Sequence, residues 1–167
     1  MKSIIELYLG ICLLRRSPAT LPGAGSFLLI VFAVNVGLSL MISMTLANAA
    51  DPLRSVSVIL LGQATTAVLV KLMLDARRVG DRFTTTLAAL FGCDALMTVC
   101  FGLVSALLRA MGPSGVLVAL TLFLLWSVAV MGFILHHALN VRFGIGVGLA
   151  LATSLLSTTL GQLALGI

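Results

Sequence analysis

An aspartate in the middle of a long apolar block is the residue of this chain best placed to do chemistry. Asp94 lies about 11 residues into FTTTLAALFGCDALMTVCFGLVSALL, roughly 16 Å along a helix rising 1.5 Å per residue. An ionisable group that deep in a bilayer costs several kcal/mol unless it is paired, neutralised or hydrated. Four other apolar blocks each place a polar residue at a similar count from the end on the same side: Asn35, Gln63, Ser127 and Ser154. Together the five residues make a polar layer near the midplane. Three chemistries fit it. Asp94 is a carboxylic acid kept neutral by burial, hydrogen-bonded to Gln63 or Asn35 and fixing helix register; or it binds a proton or cation; or it faces a polar or charged residue of a partner subunit.

The remaining reactive side chains point to less. His136 and His137 fall in the last turn of the fourth block, about 100° apart on a helix, and there is no third histidine, so a polar cap at the membrane interface is expected rather than a metal or haem site. Cys12, Cys93 and Cys100 form no ligand pattern and sit in apolar contexts where cysteine behaves as a small hydrophobe. Cys93 and Cys100 would lie about 10 Å apart on one helix, too far for a disulfide. No nucleophile-base-acid set, phosphate loop or dinucleotide fingerprint occurs. No catalytic residue, metal or cofactor is therefore expected.

The elements that must position Asp94 follow from composition. The 167 residues are 60% hydrophobic and 9% charged, with a mean hydropathy of +1.23, far from the soluble globular range. Five blocks are long enough to cross a hydrocarbon core as helices: about 26–47, 55–74, 83–108, 116–138 and 143–165. The connectors carry turn residues: Asn48 to Pro52, Arg77 to Asp81 with Gly80, Met111 to Gly115, and Asn140 to Arg142. Connections this short predict antiparallel neighbours in an all-α, polytopic membrane bundle, with residues 1–167 forming a single membrane domain.

Eight cations fall on one side of this bundle (Lys2, Arg15, Arg16, Lys71, Arg77, Arg78, Arg82 and Arg142) and two on the other, Arg54 and Arg109. That bias predicts a cytoplasmic N-terminus and a C-terminus on the opposite side. The net charge of +5 then needs no nucleic acid as partner. Residues 1–16, MKSIIELYLGICLLRR, are too short to span. Lys2, Ser3, Glu6 and Gly10 fall near one helical face, so an interfacial amphipathic helix is predicted, with Arg15, Arg16, Arg77, Arg78 and Arg82 among lipid headgroups. Small residues recur at four-residue spacing in Gly144-x-x-x-Gly148-x-x-x-Ala152, Ser157-x-x-x-Gly161, Ala33-x-x-x-Gly37 and Ala88-x-x-x-Gly92, which marks close helix packing within the bundle or against a partner.

Five short-looped spans behind a cytoplasmic N-terminus resemble, in architecture, the Yip family of membrane proteins. The segments RRSPATLP (Arg15 to Pro22) and RFTTTLAALFG (Arg82 to Gly92) are similar to those of small proteobacterial inner-membrane proteins of unassigned function. The chain lacks the acidic cytosolic region and the tyrosine-glycine-proline type motif of eukaryotic Yip members, so no trafficking role and no site residue carries over. The resemblance implies a bacterial inner-membrane location. With helix-helix and helix-lipid contact as the main chemistry available, the expected function is a non-enzymatic accessory or scaffolding subunit of a larger inner-membrane complex. Its partners would be the lipid bilayer and other membrane subunits or a second copy. A small proton- or cation-coupled transporter or channel using Asp94 is the alternative, and a lipid-directed enzyme near Arg82, His136, His137 and Arg142 comes third.

Overall fold

A computed structural model describes residues 4–46, 52–108 and 113–163. Among these the regular structure is helical, with no strand: α1 (Ile4–Cys12), α2 (Gly25–Leu46), α3 (Pro52–Ala76), α4 (Phe83–Leu108), α5 (Pro113–Leu139) and α6 (Phe143–Leu163), with 3-10 turns at Pro18–Thr20 and Gly80–Arg82. Helices α2 to α6 follow the five apolar blocks and run 21 to 27 residues. At 1.5 Å per residue each exceeds the hydrocarbon thickness of about 30 Å, so the chain is an integral membrane protein. Most of the expected connectors before α3 and α5, together with Lys2, Ser3, Arg109 and residues 164–167, lie outside the described residues, and the Arg54 side chain is likewise not described.

Sequence explains the helix ends. Pro52 and Pro113 open α3 and α5, where a missing N–H costs nothing. At the other ends α1, α3 and α5 close with the same motif: Leu14, Arg78 and Asn140 take left-handed backbone angles. The following N–H groups then reach back to carbonyls five residues upstream, Arg15 to Gly10 at 2.8 Å, Val79 to Leu74 at 3.0 Å and Val141 to His136 at 3.3 Å.

The five long helices close in the order α2, α4, α5, α6, α3 and back to α2. Sequence neighbours run antiparallel, as expected, but α2 and α4 are side by side and parallel, and α3 meets α4 beside their connector, Lys71 over Phe83, and across the bundle interior through Gln63 and Asp94. Register along the parallel pair is held near 59 residues: Phe32 packs on Phe91 with ring centroids 5.4 Å apart, and Asn35 meets Asp94. Along α3 and α6 the order is reversed, with Gly62 against Ser157 and Val58 against Gly161. The tightest crossing is between α5 and α6. There Gly132 lies against the Val147 backbone, and Gly146 lies against the Gly132 carbonyl and the His136 backbone, closer than any Cβ permits.

Packing is lopsided. Buried apolar residues gather toward the end bearing residues 77–82 and 140–142: Val70 and Leu74 of α3, Leu87 to Phe91 of α4, Ile134, Leu135, Ala138 and Leu139 of α5. Toward the far end, beyond Asn35, Val70, Met97, Val128 and Thr153, the described residues of these helices bury only Gly161. Outward faces carry Leu29, Ile30, Leu72, Leu103, Leu122 and Leu155, an apolar coat suited to lipid. Helix α4 is central, with 50% of its apolar window buried against 6 to 22% for the others.

Helix α1 is docked on α4 and α5, and most of its described free surface is apolar. Ile4, Ile5, Leu9 and Leu13 face outward beside Glu6, while Tyr8, Ile11 and Cys12 are buried. Gly10 is half-covered by the aliphatic part of Arg16. The Tyr8 ring lies on Gly92 and its hydroxyl donates to the Ala88 carbonyl at 3.1 Å, so Ala88-x-x-x-Gly92 seats an aromatic ring rather than another long helix. Burial pushes the Tyr8 phenol above its ordinary pKa, which keeps it a donor. Trp126 Nε1 donates to the Cys12 carbonyl at 2.9 Å, satisfying a group at the helix end that has no intrahelical partner. Gly92→Val should lift α1 from this seat. Maleimide labelling of Cys12, slow while that thiol is buried, should become fast, at a stability loss of about 1–3 kcal/mol.

Candidate intramembrane site

The ring of helices encloses a cavity of about 350 Å³ with Asp94 on its wall. The parallel register of α2 on α4 sets Asn35 beside it. Asn35 is fully buried, donates from Nδ2 to Asp94 Oδ2 at 3.1 Å and accepts from Ser39 Oγ at 3.4 Å. From across the interior, Gln63 Nε2 reaches the same oxygen at 3.5 Å. Asp94 Oδ1 receives no hydrogen bond from a described residue. Cys93 and Ala95 are buried while Asp94 between them is exposed, and the space it is exposed to includes this cavity.

Four of the five residues expected in the polar layer therefore line one space, Asp94, Gln63, Ser127 and Ser154, and Asn35 stands behind Asp94 rather than on the wall. Sequence reasoning missed Ser39, Thr66, Ser157 and Thr158, which also line it. A signal existed: each lies three or four residues from a layer member on the same helix, hence on the same face. The cavity is consequently taller than one layer. It runs from Leu90 and Ile134 near the packed end to Val58 and Thr158 toward the far end.

The hydroxyls share one orientation. Thr66 donates to the Gly62 carbonyl at 3.0 Å, Ser127 to Leu124 at 2.9 Å, Ser157 to Gly62 at 3.0 Å and Thr158 to Ser154 at 2.9 Å. Ser39 donates to Asn35 and Ser154 to Met131 Sδ at 3.9 Å. With each proton already engaged, what these groups offer a guest is oxygen lone pairs. The Gln63 carbonyl oxygen and the sulfurs of Met97 and Met131 are acceptors as well. Among the described residues no lysine, arginine or histidine lines the cavity. A carboxyl group among acceptors suits a cation or a donor-rich guest.

No family model, curated protein or solved structure matches this chain.

The other expected groups lie elsewhere. Gly144, Gly148 and Ala152 face outward, and a Cβ at Gly144 or Gly148 would meet nothing within 4 Å. Close packing inside the bundle uses Gly132 and Gly146 instead. Ala33 and Gly37 also face outward, whereas Ser157 and Gly161 pack on α3. Arg15, Arg77, Arg78 and Arg82 are exposed and Arg16 is half-buried. Lys71 pairs with Asp75 at 3.2 Å on the surface, a contact worth little. His136 and His137 have rings 4.7 Å apart, and each engages a carbonyl through Nδ1: His136 that of Val141, closing the turn into α6, and His137 that of Phe133 at 3.0 Å. Cys12 and Cys93 meet across the α1 and α4 contact, a pairing their spacing in the sequence does not reveal.

Proposed function

We propose that this membrane protein binds a small cation, inorganic or a protonated amine, at Asp94 and carries it across the bilayer. The observation behind this reading is the acceptor-lined cavity around a single carboxyl group, closed on one side by the apolar core and continuing toward the loosely packed far end. Asn35 and Gln63 hold Asp94 Oδ2, and Oδ1 is the atom that meets the guest. The cavity supports the cation-coupled carrier, the alternative expected from sequence, over the accessory subunit. In reconstituted vesicles the protein should move monovalent cations or methylammonium down a gradient. Absence of saturable flux for every cation tried would remove this function.

The membrane is the bacterial inner membrane in this proposal, and the end bearing residues 77–82 is cytoplasmic, so the cavity approaches the outer side. The cation bias of the sequence supports that orientation, as the five spans support a Yip-like outline. Helix α1 then packs against α4 and α5 within the inner half of the bilayer, its apolar outer face in lipid. In a cysteine-free variant, a single cysteine near Arg54 should react with an impermeant maleimide in intact cells and one near Arg77 should not. Equal labelling would reverse or break the topology.

The accessory-subunit reading is supported by a different feature, the uncovered Gly144, Gly148 and Ala152 face of α6, where another helix could approach closely. Copurification of unrelated chains in fixed stoichiometry, released by Gly148→Leu, would favour it.

A further inference from the structure

A second cavity, of about 290 Å³, lies at the packed end, between the 3-10 turn that precedes α2, the one that opens α4, and the last turn of α5. Pro18 is buried where the first turn wedges against α4 and α5, and Ser17 caps that turn by accepting from the Ala19 N–H at 3.4 Å. Asp81 and Arg82 enter the cavity from the second turn, with Thr85, Thr86 and His137 completing the polar wall. The level is that of the ends of two spans, Gly80–Val104 and Leu117–Leu139, where lipid headgroups lie.

The two charges are what distinguish this cavity. Asp81 and Arg82 are adjacent in sequence and both exposed, yet the ion pair found among the described residues is that of Lys71 with Asp75, not one between them. Arg82 Nη1 donates to the His137 carbonyl at 3.5 Å, which holds the guanidinium against α5 and leaves its other N–H groups available. Thr86 directs its proton to the Arg82 carbonyl at 2.7 Å and so presents an acceptor. A planar cation thus stands beside a separate carboxylate and hydroxyl oxygens.

We propose that this cavity binds the headgroup of phosphatidylethanolamine. Arg82 takes the phosphate through paired N–H donors. Asp81, with the hydroxyl oxygens of Thr85 and Thr86, takes the three donors of the primary ammonium. A choline headgroup has no N–H to give them and is usually recognised by an aromatic cage; among the described residues no phenylalanine, tyrosine or tryptophan lines the wall. A glycerol headgroup leaves Asp81 without its counter-charge.

The test is native mass spectrometry of the full chain released from nanodiscs holding equal amounts of phosphatidylethanolamine, phosphatidylglycerol and phosphatidylcholine of one acyl composition. Bound phosphatidylethanolamine should exceed each of the others by about tenfold or more, the scale of one charge-assisted hydrogen bond. Asp81→Asn should level the three, and Arg82→Gln should lower all of them. Asp81 makes no ion pair among the described residues, so its variant decides the question even if Arg82→Gln folds poorly. Equal retention by the parent protein, or an ethanolamine preference that survives Asp81→Asn, would overturn the proposal. Displacement of the lipid by equimolar soluble phosphoethanolamine would also overturn it, by moving the ligand from bilayer to solution.

Discussion

Asp94→Asn should abolish saturable cation flux while leaving the folded bundle intact. The asparagine side-chain oxygen still accepts from Asn35 and Gln63, so the contacts across α2, α3 and α4 survive the change. What disappears is the charge facing the cavity. A hydrogen bond to a charged group contributes about 1.5–3 kcal/mol, so binding should weaken roughly 10- to 150-fold. Asp94→Leu should stop flux equally and also loosen the bundle by about 1 kcal/mol, since two amides lose their acceptor. Flux in vesicles and thermal unfolding in detergent separate the two effects. Flux retained by Asp94→Asn would return Asp94 to a purely structural role.

Gly132→Leu should strongly destabilise the bundle. Its Cβ would run into the Val147 backbone, which cannot yield as a flexible side chain can, so α5 and α6 must separate. The expected loss is about 3 kcal/mol or more, at the upper end of overpacking costs. Gly148→Leu, one residue past Val147 but on the outward face of α6 with open space around its Cβ, should leave unfolding unchanged. A comparison of the two variants in denaturant would show whether the α5 and α6 crossing carries the stability assigned to it.

Much of this fold is legible in the sequence because the hydrocarbon thickness dictates helix length, and counting from helix ends then sets depth. That is how Asp94, Asn35, Gln63, Ser127 and Ser154 come out at one level. Depth is not azimuth, however. In the Gly144, Gly148 and Ala152 stripe, four-residue spacing identifies residues sharing a face, but the half of α6 that holds it, residues 143–152, is apolar all round and so has no polar side to mark its outside. The packing glycines turn out to be Gly132 and Gly146. The order around the ring is equally hidden, since short connectors fix direction and do not say that α2 adjoins α4. Tyr8 on Gly92 and Trp126 on Cys12 depend on that order, and so the docking of α1 could not be read in advance.

The parallel pairing of α2 with α4 also sets a timetable for biogenesis. Asn35 leaves the ribosome 59 residues before Asp94, the acceptor its side-chain amide finds in the finished protein. At about 5–20 residues per second, α2 waits roughly 3 to 12 s for its principal neighbour, with only the slighter seam to α3 formed meanwhile. During that interval a polar amide at mid-bilayer depth must be sheltered by water or by the insertion machinery. The first span of this protein is thus committed to the membrane before the partner that makes it comfortable there has been synthesised.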